Sequence, residues 1–176
     1  MSPAGASSWA VFALGGNLGD PMAALRHAAC RLAAVLTRPR ASAVYRTAPE
    51  GGADQPWYLN AAVAGLTTMS PAEALVLARS LEDEAGRTRL YAGAPRTLDV
   101  DLVFLGDTVM DEPGLTIPHP RWSDRDFVVV PLLDIVPDLR DPRSGRTVRE
   151  VARSAGWIGR DLHREADAGV LLSVET

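Results

Sequence analysis

The chain has 176 residues, 47% of them hydrophobic, enough to fill one core, so a single domain is expected over 1–176, with its core at about 9–156 and a tail of uncertain order over 157–176. Its 18 Lys and Arg against 22 Asp and Glu leave a net charge of −4, which counts against general nucleic-acid or membrane-surface binding. The lone Cys30 excludes a disulfide framework, no apolar run approaches the about 20 residues of a membrane span, and MSPAGASSW lacks signal-peptide features, so the cytoplasm is the expected compartment.

In chain order, WAVFALG (Trp9 to Gly15) is a nearly continuous apolar run that predicts a buried strand. Asp20 and Pro21 then predict a helix start, with Leu25, Ala28, Ala29, Leu32, Val35 and Leu36 at helical spacing and a stop before Pro39. ASAVYRT (Ala41 to Thr47) and YLNAAVAGLTT (Tyr58 to Thr68) predict two more strands around a Gly- and Pro-rich loop. Ser70, Pro71 and Glu73 form a capping-box signature for a second helix, which Gly86 ends. RTLDVDLVFLG supplies a fourth strand. The order β-α-β-β-α-β predicts an α+β, ferredoxin-like core: two helices on an antiparallel sheet, with C-terminal additions. Beyond Gly106 the expectations are a small hairpin in TVMDEPGLTIPHP, a strand turning toward helix in FVVVPLL, and a short helix in TVREVA. After Trp157 the pattern dissolves.

Chemistry concentrates at the fourth strand. Residues two apart on a strand share a face, so Asp99 and Asp101 look the same way with Cα atoms roughly 6.5 to 7 Å apart. Two unpaired buried carboxylates would be very costly. Either nearby arginines hold them as a polar strand entrance, or they clamp Mg²⁺, an ion that takes hard oxygens and shares its other positions with phosphates. Arg87, Arg89 and Arg96 lie immediately upstream, suited to phosphate oxygens. GGNLGD (Gly15 to Asp20) lacks both the Lys-Ser/Thr ending of a P-loop and the dinucleotide spacing, so it reads as a tight strand-to-helix turn. Tyr58 and Asn60 share a strand face, a ring and an amide that suit a flat heterocycle as well as ordinary packing. His119 stands alone between two prolines.

Taken together and in order, ALGGNLGD, SAVYRTAPEGGADQPWYLNAAV, LEDEAGRTRLYAGAPRTLDVDLVFLG and LTIPHPRWSDRDFVVVPL resemble the 6-hydroxymethyl-7,8-dihydropterin pyrophosphokinase family of folate biosynthesis, from about Val11 to Leu139. The resemblance implies transfer of the β,γ-diphosphate of ATP to the hydroxymethyl group of a reduced pterin, with two Mg²⁺ ions on Asp99 and Asp101. It further implies that Tyr58 and Phe127 sandwich the pterin while Asn60 and the segment from Thr47 through Ala48 to Glu50 bind its edge. By the same resemblance Arg87 and Arg96 engage the phosphates, and Glu82, Arg89, Thr116, His119 and Arg125 surround the nucleotide. Loops 15–20, 48–57 and 87–97 would form a moving lid that excludes water. A monomer acting on small molecules, with no nucleic-acid or membrane partner, is expected. The chain departs from the pattern at Ala92, Gly93 and Ala94, where relatives often carry Arg and Trp in a loop one residue longer, and at Ala48, Glu50 and Gly114. The competing class is a non-catalytic ATP- or pterin-binding regulatory module of the same fold.

Overall fold

The computed structural model describes residues 7–49, 54–87, 94–158 and 162–173. Strand β1 (Ser8–Gly16) leads into α1 (Pro21–Val35), β2 (Thr37–Ala41), β3 (Val44–Thr47), β4 (Tyr58–Thr67), α2 (Pro71–Glu84) and β5 (Asp99–Leu105). A hairpin, β6 (Met110–Glu112) and β7 (Leu115–Ile117), precedes α3 (Asp126–Ile135), α4 (Val148–Ser154), β8 (His163–Ala166) and α5 (Gly169–Leu172).

Local chemistry starts the first two helices as expected. Asp20 accepts from the Ala23 N–H at 3.0 Å with Pro21 in the first turn, and Ser70 and Glu73 close a reciprocal capping box. The sheet runs β5-β1-β4-β3-β8, with β2 also paired to β4, and every pairing is antiparallel. One face buries Phe12, Leu14 and Val63 under Leu25, Leu32, Ala78 and Leu81 of α1 and α2. The other buries Val11, Ala62 and Phe104 under Val129, Leu132 and Ile135 of α3 and Val148 and Val151 of α4. This is the ferredoxin-like arrangement, with a second helical layer on the opposite face.

Three expectations need correction. The single strand from Ala41 to Thr47 is two, β2 and β3, broken at Ser42 and Ala43. The buried Ser42 hydroxyl accepts from the Ala62 N–H at 2.8 Å, so a side chain takes over a ladder bond and the edge bends. Strand structure also begins earlier, at Thr37, through a register shift around Arg38 (φ 54°) and Pro39, which a bulged edge tolerates. FVVVPLL is helix α3. A short apolar run reads alike as a buried strand or a helix buried all round, and here sheet and α4 enclose it. Beyond Trp157, β8 adds to the edge of β3, and α5 sets Leu171 into the core beside α1.

Register positions the site. Gly15 pairs with Asn60 on one side and Asp99 on the other, so these two polar side chains flank one central strand, about 10 Å apart across two ladder spacings. Ala13, two residues back, pairs with Asp101. Small residues on the sheet floor leave a hollow here, beside the start of α3.

Candidate active site

The hollow is a cleft of about 120 Å³ floored by Ala13, Leu14 and Gly15 and walled by Thr47, Ala48, Tyr58, Asn60 and Phe127. A second hollow, lined by Leu75, Ala78, Arg79, Glu82, Arg87, Gly114 and His119, adjoins it. The two share four residues: Arg96, Asp99, Asp101 and Arg125. An aromatic pocket and a cationic pocket therefore meet at the paired carboxylates.

Each wall follows from its strand. Tyr58 and Asn60, alternate residues of β4, both face the cleft, and the Asn60 amide donates to the Thr47 hydroxyl at 2.7 Å across the β3–β4 pair. A methyl group on Gly15 would lie 3.1 Å from Asn60 Oδ1, so glycine keeps this amide accessible. Phe127 stands in the first turn of α3 with the Arg125 guanidinium 5.5 Å from its ring centroid; Arg96 lies equally far from the ring of Tyr58.

At the junction, Asp99 takes ion pairs from Arg87 and, at 3.1 Å, Arg96. Arg87 also pairs with Glu82, a carboxylate only 5% exposed that accepts the Val100 N–H at 3.0 Å as well. Glu82 thus lines the second hollow, and its Oε1 holds both Arg87 and the start of β5. Asp101 is treated differently: burial first, and the Asp99 charge second, push its carboxyl up to about 6. His119 Nε2 lies 3.8 Å from its Oδ2. The His119 Nδ1 accepts the Arg121 N–H at 3.2 Å, which places the ring proton on Nε2, toward Asp101. Burial, followed by the Arg125 charge, lowers the His119 pKa and favours that neutral form.

Of the other expected site residues, Thr116 sits opposite Asp111 in the hairpin and lines neither hollow. Glu50 and Arg89 lie outside the described residues, as do Ala92 and Gly93 of the third loop. One polar residue central to the arrangement carries no role in the sequence expectations. Asn17, 4% exposed, donates to Pro56 C=O at 3.0 Å and accepts from the Arg96 N–H at 2.9 Å, joining the ends of all three expected lid loops. Its signal was present in GGN, because a methyl group on Gly16 would lie 2.5 Å from the Thr97 carbonyl oxygen, a contact only a loop packed against that turn can make.

The donor set suits a small hard divalent cation. Two carboxylates project from one strand face, the Asp99 charge disfavours ionisation of Asp101, and among the described residues no group of three or more His, Cys, Asp or Glu forms a self-sufficient metal cage. A cation completing its shell with phosphate and water oxygens fits such a pair.

Comparison with known proteins agrees with this geometry. Residues 11–137 match the family model for 7,8-dihydro-6-hydroxymethylpterin-pyrophosphokinase. Among curated relatives, the 2-amino-4-hydroxy-6-hydroxymethyldihydropteridine pyrophosphokinase of Synechocystis is 44% identical over 141 residues, 79% of this chain and 72% of its own. That of Methylorubrum extorquens is 44% identical over 147 residues, 80% of this chain and 89% of its own. The crystal structure of wild-type Plasmodium falciparum HPPK-DHPS superposes with a TM-score of 0.64 at 14% identity, covering 85% of this chain and 45% of that longer one, a likeness of fold. Among the described residues no helix is long and apolar enough to cross a membrane. By its match over 127 of 176 residues and its relatives of nearly equal span, the chain belongs to the 7,8-dihydro-6-hydroxymethylpterin-pyrophosphokinase family.

Proposed function

We propose that this chain carries out its family's reaction in the joined cleft: transfer of the β,γ-diphosphate of ATP to 6-hydroxymethyl-7,8-dihydropterin, with two Mg²⁺ ions held by Asp99 and Asp101. The observation that carries this assignment is the meeting of an aromatic, amide-bearing pocket and a cationic pocket at those two carboxylates. Tyr58 and Phe127 stack the pterin, and Asn60 reads its edge. The pterin hydroxyl oxygen attacks the β-phosphorus, the bond between that phosphorus and the α,β-bridging oxygen breaks, AMP leaves with the bridging oxygen, and the hydroxyl proton passes to solvent. When bound, the ions would draw charge from the phosphate oxygens.

The chain's own groups supply position and charge. Arg87, fixed by Glu82, and Arg96, fixed by Asn17 through its backbone, present guanidiniums beside the reacting phosphates. His119 already carries a proton on Nε2 and so acts as a donor toward phosphate oxygen rather than as a base. The regulatory-module alternative is disfavoured because every group this chemistry needs at the junction is present. A monomeric, cytoplasmic, single-domain enzyme acting on small molecules and not on nucleic acid accords with the acidic charge.

Phosphorus NMR of the chain incubated with ATP, Mg²⁺ and the reduced pterin should show AMP and a pterin methyl diphosphate, formed only when pterin is present. ADP as the main nucleotide product would overturn the assignment.

A further inference from the structure

The two walls of the aromatic pocket continue past it as facing stripes of side chains. On β3, Tyr45 and Thr47 are alternate residues and share a face of the sheet. On α3, Phe127, Val130 and Asp134 recur at helical spacing and share a face of the helix. Thr47 and Phe127 stand at the open end of these stripes and line the pocket. Farther in, Tyr45 and Ala43 are buried against Val130. At the closed end a single oxygen joins the stripes: Asp134 Oδ2 accepts the Ala43 N–H at 3.0 Å and the Tyr45 hydroxyl at 2.9 Å. Burial, followed by the Asp134 hydrogen bond and charge, pushes the Tyr45 hydroxyl up to about 12, so it stays a donor.

Register gives this clamp its consequence. Tyr45 pairs with Asn60, and Thr47 with Tyr58, so the strand wall of the pocket is built on the residues that Asp134 grips. The other wall is Phe127, seven residues before Asp134 on the same helix face, or roughly 10 Å at about 1.5 Å per residue. A helix held at one end and packed through Val130 in the middle leaves the spacing at the Phe127 end little freedom. That spacing matters for a sandwiched ring, because a gap of about 0.5 to 1 Å beyond contact forfeits roughly a quarter to a half of the dispersion attraction. We infer that Tyr45 and Asp134 are positioning residues that set the width of the pterin slot, by fixing α3 against the β3–β4 pair. This rests on the pterin-binding reading above. Neither residue lines the slot itself, so each acts through the walls that it joins.

The test is calorimetric titration of the full chain with 6-hydroxymethyl-7,8-dihydropterin and, separately, with AMP, in wild type, Tyr45→Phe, Asp134→Ala and Asp134→Asn. Tyr45→Phe keeps the buried ring and removes only the hydroxyl, so it tests the clamp even where Asp134→Ala fails to fold. Losing a hydrogen bond to a charged group should weaken pterin about ten-fold in Tyr45→Phe and more in Asp134→Ala, while AMP affinity stays within about two-fold. Asp134→Asn keeps an oxygen acceptor for both donors and should restore pterin affinity to within about three-fold of wild type. Unchanged pterin affinity in folded Tyr45→Phe, even with a lowered melting temperature, would make the clamp a support of the fold alone and overturn the assignment. Equal losses for pterin and AMP would overturn it as well, as a general loosening. A wild-type chain that binds AMP but no pterin would instead overturn the pterin-binding reading on which the assignment rests.

Discussion

Asn17 and Arg96, 79 residues apart, clasp each other through two hydrogen bonds, from the Arg96 N–H to Asn17 Oδ1 at 2.9 Å and from the Asn17 N–H to the Arg96 carbonyl at 2.9 Å, and the Leu18 N–H adds a third to that carbonyl at 3.1 Å. The peptide of Arg96, which lines both hollows, is thereby fixed to the turn after the first strand. The remaining Asn17 donors reach Pro56 and Gln55, just before Tyr58, so the same side chain ties the cationic and aromatic ends together.

Replacing Asn17 by Ala should leave the Arg96 N–H without its partner and free both loop ends. The expected cost is about 1 to 3 kcal/mol in denaturant unfolding, with kcat/KM reduced at least about ten-fold. If stability falls while kcat/KM holds, Asn17 supports the fold and not the site. Gly16→Ala should behave similarly, since its methyl group would collide with the Thr97 carbonyl.

Glu82 offers a separate check on how Arg87 is held. Glu82→Gln keeps the size and an acceptor for the Val100 N–H but removes the charge that pairs Arg87. Phosphate-dependent parameters should suffer, with kcat/KM for ATP down about ten-fold, while pterin binding measured without nucleotide stays unchanged. Glu82→Ala should also destabilise the protein, by roughly 3 kcal/mol, because it strips partners from a buried ion pair.

The raised Asp101 pKa gives a signed dependence on pH. Because the folded value of about 6 exceeds the ordinary 3.8, the neutral acid favours the fold. That contribution is fully present below pH 3.8 and lost as pH rises through about 6. Mg²⁺ competes with the same proton, so its apparent affinity should fall as pH drops below about 6. The rise in melting temperature on adding Mg²⁺ with nucleotide should therefore be large at pH 8 and small at pH 5. Asp101→Asn should flatten that difference and nearly abolish turnover. A Mg²⁺ effect equal at both pH values in wild type would contradict metal binding at Asp101.

For the pterin, Tyr58→Ala and Phe127→Ala should each weaken binding by about 1 to 3 kcal/mol, by analogy with bases stacked on aromatic rings. Calorimetry with unchanged affinity in both would retire the stacking role of these rings.

The contrast between α2 and α3 shows where local information suffices. Ser70, Pro71 and Glu73 start α2 through bonds to backbone groups within three residues, so the amino-acid order alone settles it. The alternation of β4 likewise sets Tyr58 and Asn60 on one face, and that of β5 does the same for Asp99 and Asp101, because strand periodicity is a property of the backbone. The motifs around these residues also identified the family. Helix α3 was another matter, since FVVVPLL is apolar throughout and only the layers enclosing it choose helix over strand. The break at Ser42 depends on Ala62, the edge strand β8 on β3, and the clasp of Asn17 on Arg96. Each of these rests on a contact between residues 20 or more positions apart, which no local propensity encodes. Tertiary structure alone decided them, by bringing a backbone group to a side chain that would otherwise have had several partners to choose from.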